Sequence, residues 1–483
     1  MLFNSVSYIL FLIAVTITFW VISPSLRIWL LLAASAVFYG LWRPEFLLLI
    51  VFSALLDFGF ALKLGQEHRP SRRRAWLACS VSVNLLLLGY FKYAYFIAGN
   101  FEVLAHLLSA DWSIRLGTII LPLGISFYTF LSISYTIDVY RGLCKPVNNF
   151  AVYLTYVMFW PHMVAGPILR ANELIPQLVS AQRFDLDRVA GGVKRILFGL
   201  FLKVGPADHL APFVDDWFLK SPGSLSALDV WTMAFAFGMQ IYFDFAGYSM
   251  IAIGSARLLG IHFPENFNWP YLATSPREFW KRWHITLSSW IRDYLYLPLC
   301  GVRFRDKSEG GIETDLVRPD SWRLTGALFG TWGIMGLWHG AAWSFVLWGL
   351  WHAAFIWIYR ATTPITARLP DRLRSFLGWG ITVAVSMLGW IFFRSRSTGD
   401  AFTLLARICD PHAYGRLGFR ESSYLLVAVL FIAMPATHFA IRYIVSTKLL
   451  WLRVTTETIA IAISAFAVFI FLRPVNLFIY FQF

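Results

Sequence analysis

Two histidines, one in an apolar stretch and one in a polar segment, are the side chains of this sequence best suited to chemistry. His339 lies in Gly336-Leu337-Trp338-His339-Gly340 and is the one ionisable residue of the stretch Gly326–Trp351. An imidazole at membrane depth is costly and usually faces a bundle interior or a watered cavity. Gly326, Gly330, Gly333, Gly336 and Gly340 follow one another at steps of 4, 3, 3 and 4. On a helix that spacing puts all five on one side, where another backbone or a ligand chain can come close. Two readings are open: a titratable group beside a groove, or a hydrogen-bonded packing histidine.

The second histidine, His284, belongs to the polar segment 275–298. Ser275, Pro276 and Glu278 form a helix-start signature, with an N-cap, a proline at the first position and a capping-box glutamate. Pro298 marks the end. As one continuous helix the segment separates into two faces. Arg277, Lys281, His284, Ser288 and Arg292 share one, and Phe279, Trp283, Leu287, Trp290 and Tyr294 share the other. Such a helix is too charged to span lipid alone. It either lies in the interface plane as an anchor or lines a polar cavity. His284 and Ser288 sit mid-face, where an anchor more often carries lysine, and this favours a cavity with a cationic mouth. His352 lies 13 residues beyond His339, ~20 Å along a straight helix, and reads as structural. Asp138 and Asp244, in or beside apolar runs, read first as structural hydrogen-bonding groups.

The elements that must position these groups are membrane helices. The 483 residues are 58% hydrophobic and 14% charged, against about 25% charged in soluble domains. The expected fold is an all-α polytopic membrane protein. Apolar runs near 7–22, 26–41, 46–62, 75–98, 117–137, 150–168, 190–204, 227–260, 324–338, 341–359, 375–393, 422–444 and 454–472 predict ten or more spanning or partly spanning helices. Lys63, Arg69, Arg72, Arg73 and Arg74 mark a cytoplasmic loop. The net charge of +14 fits cytoplasmic anchoring loops before an anionic ligand, and no soluble basic domain exists to bind nucleic acid. Residues 301–323 carry five basic and five acidic side chains and read as a solvated loop. Cys79, Cys144, Cys300 and Cys409 are scattered, which suggests neither a disulfide framework nor a metal site. The 22 tryptophans read as packing and interface-belt residues.

With these residues in view, the sequence resembles the membrane-bound O-acyltransferases (MBOAT), in the bacterial branch that includes alginate O-acetylation and teichoic-acid D-alanylation proteins. The resemblance rests on Leu121–Phe130, Ile137–Gly142, Phe159–Arg170, Gly199–Lys203 with Ala207 and Asp208, Gln240–Gly247, Pro264–Leu299, Gly336–Trp343 and the ending Phe478–Phe483. It implies a single integral-membrane domain over 1–483, with N-terminal helices (1–115), a catalytic core (116–360) and C-terminal helices (361–483). The fold it implies is a multi-helix bundle, with re-entrant or interfacial helices, around a transmembrane tunnel in the bacterial inner membrane.

By the family pattern His339 is catalytic and His284 takes the second polar position. The donor implied is a cytoplasmic thioester, acetyl-CoA or an acyl-carrier protein, with no bound cofactor. Lys281, Arg282 and Arg292, with Ser288 beside them, would meet its phosphates, although anionic membrane lipid would use the same cations. Asp244, Trp338, Gly336 and Gly340 would be structural or tunnel-lining. The implied partners are an extracytoplasmic SGNH-type acetyltransferase and a polysaccharide such as alginate, cellulose or peptidoglycan. Acyl transfer to a hydroxyl needs a base, and histidine titrates near working pH. His339 would activate the hydroxyl or pass the acyl group on, while His284, or a water it holds, would orient the donor or stabilise the oxyanion. D-Alanyl transfer to teichoic acid is the alternative within the fold. A transporter or flippase with the histidines as a proton relay is the alternative outside it, and it calls for a repeat symmetry that the sequence does not display.

Overall fold

The computed structural model describes residues 1–110, 112–307, 311–315, 321–447 and 449–472. The ending Phe478–Phe483 lies outside the described residues. Among the described residues the chain is helical with one exception: strands Arg303–Lys307 and Gly311–Asp315 pair antiparallel, Arg303 opposite Asp315 and Lys307 opposite Gly311. The fold is otherwise all-helical as expected, and the pairing adds local structure to the stretch 301–323, which reads in sequence as a solvated loop. Two short paired segments satisfy each other's backbone groups, so neither hydropathy nor charge signals them.

The chain divides into two compact units. The first comprises Met1–Val193, Ala252–Pro264 and Trp290–Arg323. It opens with helices Val6–Val21, Pro24–Gly40, Glu45–Gln66 and Pro70–Leu88, the last running through a π-helical turn, Gly89–Tyr93, into Ala94–Leu107. Arg73, from the expected basic loop, sits in the first turn of Pro70–Leu88. Its guanidinium donates to the carbonyls of Leu64, Glu67 and Tyr140, satisfying acceptors that helix ends leave open.

Helix Ile125–Arg141 buries 13 of its 17 residues, so it is interior on nearly every face. It stops at Gly142, which takes φ 79°. The Leu143 N–H reaches Asp138 O at 2.9 Å and the Gly142 N–H reaches Val139 O at 3.2 Å, a Schellman stop that needs a left-handed residue. The Asp138 carboxylate accepts the Tyr294 hydroxyl at 2.7 Å.

The second unit comprises Lys194–Ile251, Glu265–Ser289 and Leu324–Phe483. Helix Leu186–Leu202 crosses the long helix Ala227–Leu258 where glycine faces glycine. A Cβ on Gly199 would stand 2.6 Å from Gly247 O, and one on Gly247 would stand 2.7 Å from Gly199 O. Only hydrogen at both positions permits that approach. One turn on, Lys203 opens the π-helical turn Lys203–Ala207, and its ammonium is held by Asp244 at 2.7 Å and Asp208 at 2.9 Å. Asp244 is thus one half of a buried ion pair, with Lys203 and Asp244 6% and 3% exposed.

Five helices among the described residues are long and apolar enough to cross a membrane: Glu45–Gln66, Pro70–Leu107, Asp371–Arg394, Glu421–Ser446 and Leu450–Phe471. Val6–Val21 and Pro24–Gly40 are shorter apolar helices. Several of the apolar runs expected to span form shorter pieces, including Ile125–Arg141, Phe150–Met158 and Trp160–Met163. A helix buried in protein is as apolar as one facing lipid.

Candidate active site

His284 sits at a break. The expected N-terminus is present: Ser275 Oγ accepts the Glu278 N–H at 3.1 Å and Pro276 takes the first position. Glu278 reaches past the cap to the N–H and hydroxyl of Thr274, both at 2.8 Å. The helix then runs only Pro276–Arg282. His284 takes φ 42°, helix Ile285–Ile291 restarts after it, and a π-helical turn, Arg292–Tyr296, precedes a last turn, Leu297–Leu299.

The single amphipathic helix over 275–298 is therefore corrected to four short pieces, and the common polar face of Arg277, Lys281, His284, Ser288 and Arg292 does not form. The physical reason is a competing set of partners. The Ile285 N–H goes to Asn266 O at 2.9 Å and the Thr286 N–H to Asn266 Oδ1 at 3.3 Å, so the loop before the segment takes donors that a continuous helix would keep.

His284 has no exposed surface. Its Nδ1 lies 3.1 Å from Asn266 Oδ1, its ring meets Phe245 edge-on at 4.6 Å between centroids, and Phe267 stands at 6.4 Å. Asn266 is itself fully buried. Its Nδ2 donates to Ser249 Oγ at 3.1 Å and its Oδ1 accepts the Thr286 hydroxyl at 2.9 Å. Phe245 and Ser249 both come from the long helix.

Of the cations expected at the donor site, two pair with a neighbouring carboxylate. Lys281 is exposed. Arg282 folds back on Glu278, its Nε and Nη2 at 3.0 and 2.6 Å from Oε1. Arg292 belongs to the first unit, where its Nε donates to Asp293 at 2.7 Å. The Ser288 hydroxyl donates to Trp283 O at 3.1 Å.

His339 ends helix Ser321–His339. The chain turns through Gly340–Ala342 and returns as helix Trp343–Thr366, so 326–351 is a helical hairpin and not one helix. The glycine stripe divides accordingly. A Cβ on Gly336 would lie 2.1 Å from Phe345 O, and one on Gly349 of the returning helix 2.1 Å from Trp332 O. At Gly340 the Phe345 ring fills the space, while Gly326 and Gly330 face nothing within 4 Å. The half of the stripe next to His339 is thus closed by the returning helix, which corrects the expectation of a groove there. The same turn corrects the placement of His352. It lies against Trp348 at 5.2 Å between centroids, and Trp348 meets His339 at 4.9 Å.

His339 is 5% exposed and packed by Trp338 at 4.9 Å and Phe393 at 5.4 Å. The aromatic packing is continuous from one histidine to the other. Trp348 stacks on Trp390 at 5.8 Å, Trp390 meets Trp283 at 5.0 Å, Trp283 meets Phe267 at 5.1 Å, and Phe267 lies beside His284. The structure brings both histidines to this core, where water is scarce and polar interactions strengthen. Asn266, Ser249, Trp348 and Phe393 were not legible as site residues. Each meets a histidine, or the asparagine beside it, across a fold contact, and no spacing pattern announces that.

The family model of MBOAT, the membrane-bound O-acyltransferase family, matches residues 147–317. The chain is 38% identical over 408 residues to a probable alginate O-acetylase AlgI of Azotobacter vinelandii, covering 84% of this chain and 77% of that protein. It is 30% identical over 507 residues to the peptidoglycan O-acetyltransferase of Helicobacter pylori, covering 95% and 91%. A teichoic acid D-alanyltransferase of Streptococcus thermophilus is 30% identical over 236 residues, 48% and 54% of the two chains. With long apolar helices, two histidines buried in one aromatic core and relatives matched over most of their length, this chain belongs to the membrane-bound O-acyltransferase family and is a multi-pass membrane acyltransferase.

Proposed function

We propose that the protein is an O-acetyltransferase of the bacterial inner membrane that relays acetyl groups from a cytoplasmic thioester, acetyl-CoA or an acyl-carrier protein, to the hydroxyl of an extracytoplasmic polysaccharide. The observation that supports this reading is His339 at a helix end, 5% exposed within an aromatic core, in the Gly336–Trp343 block that resembles the family's. His339 takes the proton of the acceptor hydroxyl as its oxygen bonds to the thioester carbonyl carbon. The C–S bond breaks, and the proton passes to the departing thiolate. A tunnel through a bundle of ten or more membrane helices, with an SGNH-type partner outside, completes the relay. Relatives named for alginate and peptidoglycan acetylation match over three quarters or more of this chain, and this supports acetyl transfer to a polymer of that class. The relatives named for D-alanyl transfer match about half of it.

The test supplies radiolabelled acetyl-CoA to membranes holding the protein, its partner and candidate glycans. Label should reach the glycan, and His339→Ala should abolish transfer while the protein inserts and purifies normally. Undiminished transfer by a well-folded His339→Ala protein sinks the catalytic role.

A further inference from the structure

The break at His284 has a chemical consequence for its ring. The Asn266 amide contacts four groups, and one of them settles which end is which. The Thr286 backbone N–H can only donate, and it points at Oδ1 from 3.3 Å. That atom is therefore the carbonyl oxygen, and the amide nitrogen is the end facing Ser249 Oγ at 3.1 Å. The Thr286 hydroxyl donates to the same oxygen at 2.9 Å. An amide oxygen only accepts, so the ring nitrogen 3.1 Å away, His284 Nδ1, is the one that carries hydrogen. In a neutral imidazole the other nitrogen then holds the lone pair. An apolar cage of Phe245 and Phe267 around a ring without exposed surface favours that neutral form.

We infer that Asn266 is a positioning residue: it fixes His284 as the Nδ1–H tautomer and so presents Nε2 to the reaction as a hydrogen-bond acceptor. The inference rests on the reading that His284 takes part in acyl transfer, and it narrows the part. A lone pair does not stabilise an oxyanion, which requires donors. It holds an N–H or O–H group of a substrate, either an amide of the thioester donor's arm or the acceptor's hydroxyl.

The arrangement is built rigidly. Asn266 is pinned by backbone bonds to Ile285 and Thr286 and by Ser249 of the long helix, and the left-handed φ of His284 turns the ring towards the loop that carries Asn266. The relation is that of a catalytic base oriented by a third group.

The test has a spectroscopic and a kinetic arm. In protein labelled with 15N-histidine, the His284 resonances, identified by their loss in His284→Gln, should show the Nδ1–H tautomer. An Nε2–H ring or an imidazolium overturns the proposal. In the kinetic arm, Asn266→Asp keeps an acceptor facing Nδ1 and should stay within about threefold of wild type. Asn266→Leu should lower kcat roughly 10- to 100-fold, the range seen when partners that orient metal-ligating histidines are removed, with the protein still monodisperse in detergent. Equal losses in the two variants overturn the proposal. A rise in KM for the thioester in Asn266→Leu identifies the donor amide as the group held, and a rise in KM for the glycan identifies the hydroxyl. Undiminished transfer by His284→Ala overturns the proposal at its premise, and the spectrum separates that failure from a wrong tautomer.

Discussion

Replacing Gly336 by alanine adds one methyl group to the inside of the helical hairpin that carries His339. That methyl carbon would stand 2.1 Å from Phe345 O and 3.1 Å from Val346 Cα. The first distance is roughly 1 Å inside van der Waals contact. The obstacle is backbone, so no rotamer change relieves it and the two helices must separate. Overpacking of this kind costs about 1–3 kcal/mol, set against about 1 kcal/mol returned by alanine's better helix propensity. Gly330, two turns earlier in the same stripe, meets nothing within 4 Å, so Gly330→Ala keeps only the favourable term. The two substitutions, identical in chemistry, should therefore differ by about 1–3 kcal/mol. Thermal unfolding of the detergent-purified protein reads the difference as a lower midpoint for Gly336→Ala and an unchanged or higher one for Gly330→Ala. Because His339 lies one turn from Gly336, activity is a second readout: a displacement of about 1 Å at a reacting group costs on the order of 10²-fold. Gly349→Ala probes the same contact from the other helix, where the new carbon would meet Trp332 O at 2.1 Å, and it should behave like Gly336→Ala. If Gly336→Ala melts and transfers acetyl like Gly330→Ala, the close approach of the two helices is wrong.

Two further outcomes follow from buried charge and from a cap. Lys203→Met removes the ammonium that pairs with both Asp208 and Asp244. Breaking a buried pair costs about 3–5 kcal/mol, so its midpoint should fall well below wild type, and adding Asp244→Asn should restore part of the loss. Burial raises the Glu278 pKa, but the Thr274 N–H and hydroxyl and the Arg282 guanidinium outweigh it and hold the carboxyl below its ordinary value. A group depressed in the folded state contributes stability above its unfolded pKa and loses it as pH falls through the folded value. Glu278→Gln should therefore be less stable than wild type at neutral pH, and the gap should close on acidification below the usual carboxylate range. A gap that does not change with pH would show that the carboxylate charge contributes nothing at this helix start.

Composition settled the class of protein, because a chain this apolar has no aqueous fold open to it. Local signals also held where their cause is local. Ser275 and Pro276 start a helix where the capping pattern puts it, and the Ile137–Gly142 motif ends one because Gly142 alone tolerates the left-handed stop. His339 stood out as an ionisable group in apolar company and His284 as the middle of a polar face, and both are buried in one aromatic core. What periodicity could not supply was the path of the chain between such signals. A helical pattern assumes that the backbone bonds to itself. Asn266, eighteen residues before His284, takes those bonds instead and divides the polar helix. The glycine stripe likewise spelled a close approach without naming the partner: it is the returning helix beyond Gly340, which also carries His352 to the indole that His339 touches. Residue type determined which groups are costly to bury and therefore worth examining. Tertiary structure alone decided which nitrogen, ring or carbonyl each of them meets, because those contacts join segments whose separation in sequence says nothing about their distance in space.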